Sequence, residues 1–246
     1  MFEGKRVCVV IPAYNEADAI GGTVKDFLVP EVDELIVVDN NSTDSTAKIA
    51  RKAGAQVVHE PIQGYGAAIR RGLREALERR NHFIIITEAD ASFKGEDVPK
   101  LLKHCRGRHF VVGTRTATPY LGEGANMGLF LVVGNMAVAK LLGLLHGYPP
   151  LTDVGCTLRV IRRPMLKAVL PELEADGAAL SPEMIVRVLR RGGRMKEIPV
   201  HYLARVGTAK ITTSRKKAFR NGLKMIQVIL GTPGRILIGP LLRLFK

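Results

Sequence analysis

Hydrophobic positions along this chain fall into short continuous runs that alternate with stretches of helical spacing. Arg6 to Ile11 is an apolar run stopped by Pro12, and Leu35 to Val38, Gln56 to Val58, Phe83 to Thr87 and Phe110 to Val112 repeat the pattern. Such β-branched runs, without polar alternation, suit strands covered on both faces of a parallel sheet. Between them, Ala17 to Leu28, Ala67 to Arg79 and Asp97 to Cys105 carry apolar residues at helical spacing. A further helix is expected to run to about Ala53, capped by Ser42 or Thr43, with Asp44 in the first turn where the helix dipole favours negative charge. Strands separated by helices of this length predict βαβ units, and hence an α/β fold with a mainly parallel sheet.

The second half is less regular. Met127 to His146 is apolar and predicts a helix interrupted by Gly128, Gly134 and Gly143. Ser181 with Pro182 reads as an N-cap and a first-turn proline, opening a helix to Arg191 that ends at Gly192-Gly193. Met195 to Val200 predicts one more strand, and no internal repeat or low-complexity tract is visible.

Composition narrows the class. A chain of 246 residues, 46% of them hydrophobic, can bury one sizeable core, so one domain with an appendage is expected. Its 37 Lys and Arg against 23 Asp and Glu leave a net charge of +14, which favours an anionic partner such as a pyrophosphate, a lipid phosphate or an anionic membrane. Nucleic acid would also satisfy that charge, but no nucleic-acid-binding motif is present and the tail's basic residues interleave with apolar side chains. Cys8, Cys105 and Cys156 are dispersed, without metal-ligand spacing, which predicts reduced thiols in a cytoplasmic protein. Val7 to Ile11 is too short for a signal peptide, and without an unbroken apolar stretch of about 18 residues a spanning helix is not expected.

The candidate chemistry sits where the strands end. Phe83 to Thr87 runs into Glu88, Ala89 and Asp90. Alternate residues of an extended chain share a face, so both acids can meet one pocket at the carboxyl edge, where open α/β sheets bind ligands. Paired there, they suit Mg2+ or Mn2+ held jointly with a substrate's phosphate oxygens; the competing reading is an acidic loop after a buried strand. Pro12-Ala13-Tyr14-Asn15-Glu16 ends the first strand and Asp39 the second, offering an aromatic face and acceptors for a nucleotide, or simply polar turns. Gly64-Tyr65-Gly66 precedes a helix and lets backbone approach an anion, although Ile69 stands where a dinucleotide fingerprint needs its third glycine. Val112 to Thr116 brings Arg115 to the same edge, able to hold a phosphate or to serve as a surface arginine.

In this order the segments VIPAYNE, the Asp39 turn, Gly64-Tyr65-Gly66, Glu88-Ala89-Asp90, Gly113-Thr114-Arg115, Leu151 to Arg163 and Glu197 to Thr212 resemble the family 2 glycosyltransferases of GT-A fold. Within that family they resemble in particular the enzymes that load mannose or glucose onto dolichyl or polyprenyl phosphate. The resemblance spans about residues 5 to 212 and implies a metal-dependent hexosyltransferase. By it, Pro12, Ala13, Tyr14, Glu16, Asp39, Gly64, Tyr65, Gly66, Glu88, Ala89 and Asp90 bind the nucleotide-sugar, and Glu88, Asp90 and Ser92 hold Mg2+ or Mn2+. Arg115, Arg159, Arg205 and Lys210 engage acceptor phosphate, and Asp90, Arg115 and Asp153 carry catalysis. Two departures stand out. Glu88 occupies a position usually held by aspartate, and Gly128 and Leu131 stand where an arginine and a serine precede the asparagine matching Asn135.

A lipid monophosphate has a second pKa near about 6, so it attacks without a general base, and inversion at the anomeric carbon is expected. A hydroxyl acceptor would need a base, with Glu183 and Asp153 as candidates. The tail from Ser214 to Lys246 interleaves Arg215, Lys216, Lys217, Arg220 and Lys224 with Phe219, Leu223, Met225, Ile226 and Ile229; Arg235, Arg243 and Lys246 follow. This predicts a catalytic domain over 1–212 and a basic amphipathic appendage over 213–246, lying on the inner face of the membrane or packed on the domain or on another subunit. Rival classes fit less well. A sugar nucleotidyltransferase would carry a glycine-rich basic loop after the first strand, and a processive synthase a Gln-x-x-Arg-Trp segment in a chain that has no tryptophan. A non-catalytic membrane-binding protein is the remaining alternative.

Overall fold

The computed structural model describes residues 1–117, 119–125, 128–148, 151–207 and 215–231. Its centre is a seven-stranded sheet of order β3-β2-β1-β4-β6-β5-β7. The strands are β1 (Val7–Ala13), β2 (Glu34–Asp39), β3 (Gln56–His59), β4 (Phe83–Ile86), β5 (Phe110–Thr114), β6 (Arg159–Arg162) and β7 (Met195–Pro199). All neighbours pair parallel except β6, which runs antiparallel between β4 and β5.

The alternation of the buried strands divides the core into two layers. Cys8 and Val10 face one layer with Ile36, Val38 and Ile84, whereas Val7, Val9 and Ile11 face the other with Val37 and Ile85. On the first side lie α3 (Tyr65–Glu78), α5 (Leu129–His146), α6 (Arg163–Val169) and α7 (Leu180–Arg190); on the second, α1 (Ala17–Phe27), α2 (Thr46–Lys52) and α4 (Val98–His104). Gly72 lets α3 lie directly on the sheet, since a Cβ there would come within 2.3 Å of Val10 Cγ1.

Two expected helix starts shift for physical reasons. The helix after β2 starts at Thr46 because Ser42 and Thr43 are tied instead to the β1 turn: Asn15 N donates to Ser42 Oγ (3.1 Å) and Thr43 N to Asn15 Oδ1 (2.8 Å). Asp44 Oδ1 accepts from Thr46 N at 2.9 Å at the start of that helix. Ser181 is not an N-cap, because a 3-10 turn over Gly177–Ala179 leads straight into α7 at Leu180. Pro182 is accommodated because helical N–H groups of the first turn have no intrahelical acceptor.

Leu129–His146 forms one unbroken helix despite its three internal or flanking glycines. By length and composition alone it could cross a membrane, and only 22% of it is buried within the chain. The final described helix, α8 (Arg215–Gly231), packs on α5, α7 and the 3-10 turn, with Ile229 in the core and Met225 and Ile226 against it. Its Phe219 (62% exposed), Leu223 and Leu230 face outward, as do Leu129 (79% exposed), Phe130 and Val133 of α5. Lys210 and residues 232–246, with Arg235, Arg243 and Lys246, lie outside the described residues.

Candidate active site

The carboxyl ends of β1, β2 and β4 turn sharply, each through a non-glycine residue in the left-handed region: Asn15 (φ 50°), Asn41 (φ 61°) and Ala91 (φ 61°). Such conformations cost of order 1–3 kcal/mol each and cluster at functional sites. Here they turn the chain ends toward one cavity of about 1020 Å³.

Pro12, Ala13, Tyr14, Glu16, Tyr65, Glu88, Asp90, Ser92, Arg115 and Arg205 all line that cavity. The Ala91 turn folds Ser92 back onto Asp90, whose Oδ1 accepts from Ser92 N (3.0 Å) and Ser92 Oγ (2.5 Å). Asp90 Oδ2 is left facing Arg205 NH1 at 3.4 Å, and Arg205 NH2 stands 3.5 Å from Glu16 Oε1. Glu88 is hydrogen-bonded by Tyr65 OH at 3.3 Å. Burial, then the neighbouring Asp90 charge, raises the Glu88 carboxyl to about 7, with Thr157, Tyr65 and Arg205 opposing the rise.

That shift carries a pH prediction for chelator-treated protein. A carboxyl raised above its unfolded value favours the fold fully below the unfolded pKa of 4.5, and this contribution is lost as pH rises through about 7. Melting temperature should therefore fall across that window more steeply in the parent chain than in Glu88→Gln. Parallel curves would show that Glu88 does not titrate there.

Other expected site residues occupy different places. Arg115 donates through Nε to Asp153 Oδ2 (2.8 Å) and through NH2 to Asp153 Oδ1 (3.0 Å) and lies over the Tyr202 ring, 5.1 Å from its centroid. Burial works to raise the Asp153 carboxyl, but Arg115 overrides it and holds the group below the usual aspartate range. Asp153 thus stands behind Arg115, off the cavity and ionised against a guanidinium, a poor arrangement for a general base.

Arg159 does not reach the cavity. It is a core side chain, donating to Ser181 O (3.0 Å) and Cys156 O over the Phe110 ring, so an acceptor phosphate has no access to it. Glu183 accepts from the backbone N–H of Glu174 (3.1 Å) and Ala175 (2.9 Å) and pairs with Arg187, which makes it a loop anchor. Ala89 is packed in the core, its carbonyl accepting from Thr23 Oγ1 at 2.9 Å. Asp39 is tied to Ser42 N (3.3 Å) and His59 Nδ1 (3.6 Å) beside the cavity.

The two glycines opening α3 make room for the exposed carboxylate of Asp176. Gly66 N donates to Asp176 Oδ1, and a Cβ on Gly66 would meet Ala175 O at 2.5 Å. Only Tyr65 of that triplet faces the cavity.

Sequence reasoning passed over Asn40, Gln63, Thr157 and Tyr202, which also line the cavity. Asn40 had a local signal in its place next to Asp39 at the end of β2. Its buried amide donates to Glu60 O (3.0 Å) and Ile62 O (2.7 Å) and accepts from Gly64 N (2.9 Å), fixing the loop before α3. Gln63 had a local signal in its place next to the Gly64-Tyr65-Gly66 turn, whereas Thr157 and Tyr202 are brought in by distant segments.

Among the described residues no group of three or more His, Cys, Asp or Glu side chains could hold a metal by itself. The donor set instead fits a hard cation shared with a ligand. Asp90 Oδ2, which Ser92 leaves unused, is paired with the Arg205 guanidinium at 3.4 Å, a group that stands where a cation would.

A mixed sheet with its acidic turn at the carboxyl edge is the architecture of GT-A glycosyltransferases. Glucosyl-3-phosphoglycerate synthase from Mycobacterium tuberculosis, solved with Mn2+, UDP and glucosyl-3-phosphoglycerate, shares the fold at a TM-score of 0.72 and 21% identity. The match covers 93% of this chain and 80% of that one. The chain belongs to glycosyl transferase family 2, matched over residues 8–170, and is a glycosyltransferase. It is 31% identical over 209 residues to the dolichyl-phosphate hexose transferase of Haloferax volcanii, covering 83% of this chain and 86% of that one. The undecaprenyl-phosphate mannosyltransferase of Micrococcus luteus is 30% identical over 220 residues, covering 84% and 88%.

Proposed function

We propose that the enzyme moves a hexose from a GDP- or UDP-linked donor to the phosphate of a polyprenyl or dolichyl phosphate, with inversion, at the cytoplasmic face of the membrane. The observation that carries this reading is the two-sided cavity. Its polar end holds Glu16, Asp90, Arg115 and Arg205, while Leu129, Phe130, Val133, Phe219 and Leu223 of α5 and α8 form an apolar wall that continues onto the surface. A phosphate on an apolar chain needs both. The names of the Haloferax and Micrococcus relatives support the same acceptor class.

In this reading Pro12, Tyr14, Glu16 and Asp39 position the nucleotide. Asp90 holds Mg2+ or Mn2+, which would neutralise charge developing on the departing diphosphate. Arg115, rigidified by Asp153 and Tyr202, aligns the acceptor phosphate. Both carboxylates considered as general bases are engaged elsewhere, and a phosphate nucleophile needs neither. A hydroxyl acceptor is the second reading. Glu88, a carboxyl raised to about 7 inside the cavity, is the observation that favours it.

The test is an assay of UDP- and GDP-sugars against polyprenyl phosphate and against soluble hydroxyl acceptors, with and without Mn2+. Metal-dependent product on the lipid phosphate is expected; product on hydroxyl acceptors alone would overturn the reading. We assign 1–212 as the catalytic unit and 213–246 as the membrane-facing tail, in which α8 turns one apolar face inward and another outward. Replacing Phe219 and Leu223 with Glu removes two apolar side chains, each contributing about 1.5–3 kcal/mol when buried. Liposome affinity should fall about 100-fold or more, read by flotation, while the far-ultraviolet spectrum stays unchanged. Undiminished flotation would remove α8 from the membrane contact.

A further inference from the structure

We propose that Arg205 is the resident counter-ion of Asp90 and makes entry of the divalent ion conditional on the donor diphosphate; this rests on the assignment of Asp90 as the metal-holding group. Backbone bonds fix the segment over the acidic turn: Leu203 N donates to Ser92 O and Val206 N to Asp90 O, both at 2.9 Å. From there the guanidinium spans two carboxylates, with NH1 3.4 Å from Asp90 Oδ2 and NH2 3.5 Å from Glu16 Oε1. Both separations exceed those of charge-assisted hydrogen bonds, and Nε is buried without an acceptor. The guanidinium is therefore held by charge, while one of its donors stays unsatisfied at a cost.

Asp90 Oδ1 is taken by both Ser92 donors, so Oδ2 is the oxygen open to a cation. A divalent ion and Arg205 compete for that one oxygen, and two cations within a few ångströms repel strongly in a partly buried site. A diphosphate changes the balance. It supplies ligands to the ion and a bidentate acceptor to the displaced guanidinium, including its unsatisfied Nε. Metal and nucleotide then bind cooperatively, each tightening the other by the same factor.

Mn2+ binding to the full chain, followed by the paramagnetic resonance of free Mn2+, tests this without and with UDP or GDP. Arg205→Gln should bind Mn2+ alone about tenfold more tightly than the parent, and its gain on adding nucleotide should shrink by about the same factor. Arg205→Lys keeps the charge and should stay with the parent. Equal or weaker Mn2+ binding by a folded Arg205→Gln, with nucleotide-dependent binding intact in the parent, overturns this inference alone. Absence of Mn2+ binding in every protein, even with nucleotide, overturns the metal assignment as well. Should Arg205→Gln fail to fold, the parent decides: equal Mn2+ affinity with and without nucleotide rejects the proposal.

Discussion

An Asp90→Asn enzyme is expected to lose sugar transfer by about 10²–10⁴-fold while remaining folded. The substitution keeps an oxygen able to accept from Ser92 N and Ser92 Oγ, so the Ala91 turn survives. It removes the anionic oxygen assigned to the cation, and a Lewis-acidic ion is worth several kcal/mol at the transition state. Loss of the Arg205 contact strands no charge, because the guanidinium keeps Glu16 Oε1 as a partner at 3.5 Å. Initial rates across a Mn2+ titration, beside a melting curve, measure both effects. Undiminished transfer at saturating donor would sink the metal assignment.

Asp153→Ala should produce the largest loss of stability. The Asp153 side chain is fully buried and Arg115 largely so; two side-chain hydrogen bonds join the pair, and Arg115 N donates a third to Asp153 Oδ2. Removing one partner strands the other charge and costs about 3–5 kcal/mol. Replacing both with apolar residues of similar size, Asp153→Leu with Arg115→Met, should recover only part of that loss and no transfer, because the backbone N–H groups of Arg115 and Gly155 lose the Asp153 carboxylate as acceptor. Denaturant unfolding of the three variants separates scaffold from site; a single-variant loss under about 1 kcal/mol would refute the buried-pair account. The pH dependence has a definite sign. Because Arg115 holds the Asp153 carboxyl below its unfolded value of 3.8, the pair's contribution is complete above that value and is lost as pH falls through the depressed one.

The strand ends were the legible part of this protein. Val7 to Ala13 and Phe83 to Ile86 are apolar because both faces are covered, and covered strands in a βαβ order leave one edge for ligands. Glu88 and Asp90 could therefore be placed on the cavity from local pattern alone. The antiparallel β6 escaped notice: it has four residues, two of them arginines at its ends, and no alternation marks its direction. Ser42 and Thr43 looked like helix caps because nothing local shows that Asn15 claims them.

Arginine positions show the limit most plainly. Arg115, Arg159 and Arg205 all sit in segments that resemble phosphate-binding motifs. Arg115 and Arg205 reach the cavity, whereas Arg159 spends its donors on the carbonyls of Cys156 and Ser181 beneath it. Gly64 and Gly66 likewise permit close approach, but the group that approaches is Asp176, 110 residues beyond Gly66 in the chain.

The sequence by itself determined the layered α/β frame, the edge at which chemistry occurs and the acidic turn, because hydrophobic period and turn chemistry are short-range properties. Tertiary structure alone decided which charged side chains face the ligand and which are consumed within the scaffold. It also set the outward faces of α5 and α8 as a wall of the cavity. Those outcomes depend on burial and on partners drawn from distant segments, and burial and partners decide whether a charge is available or already neutralised.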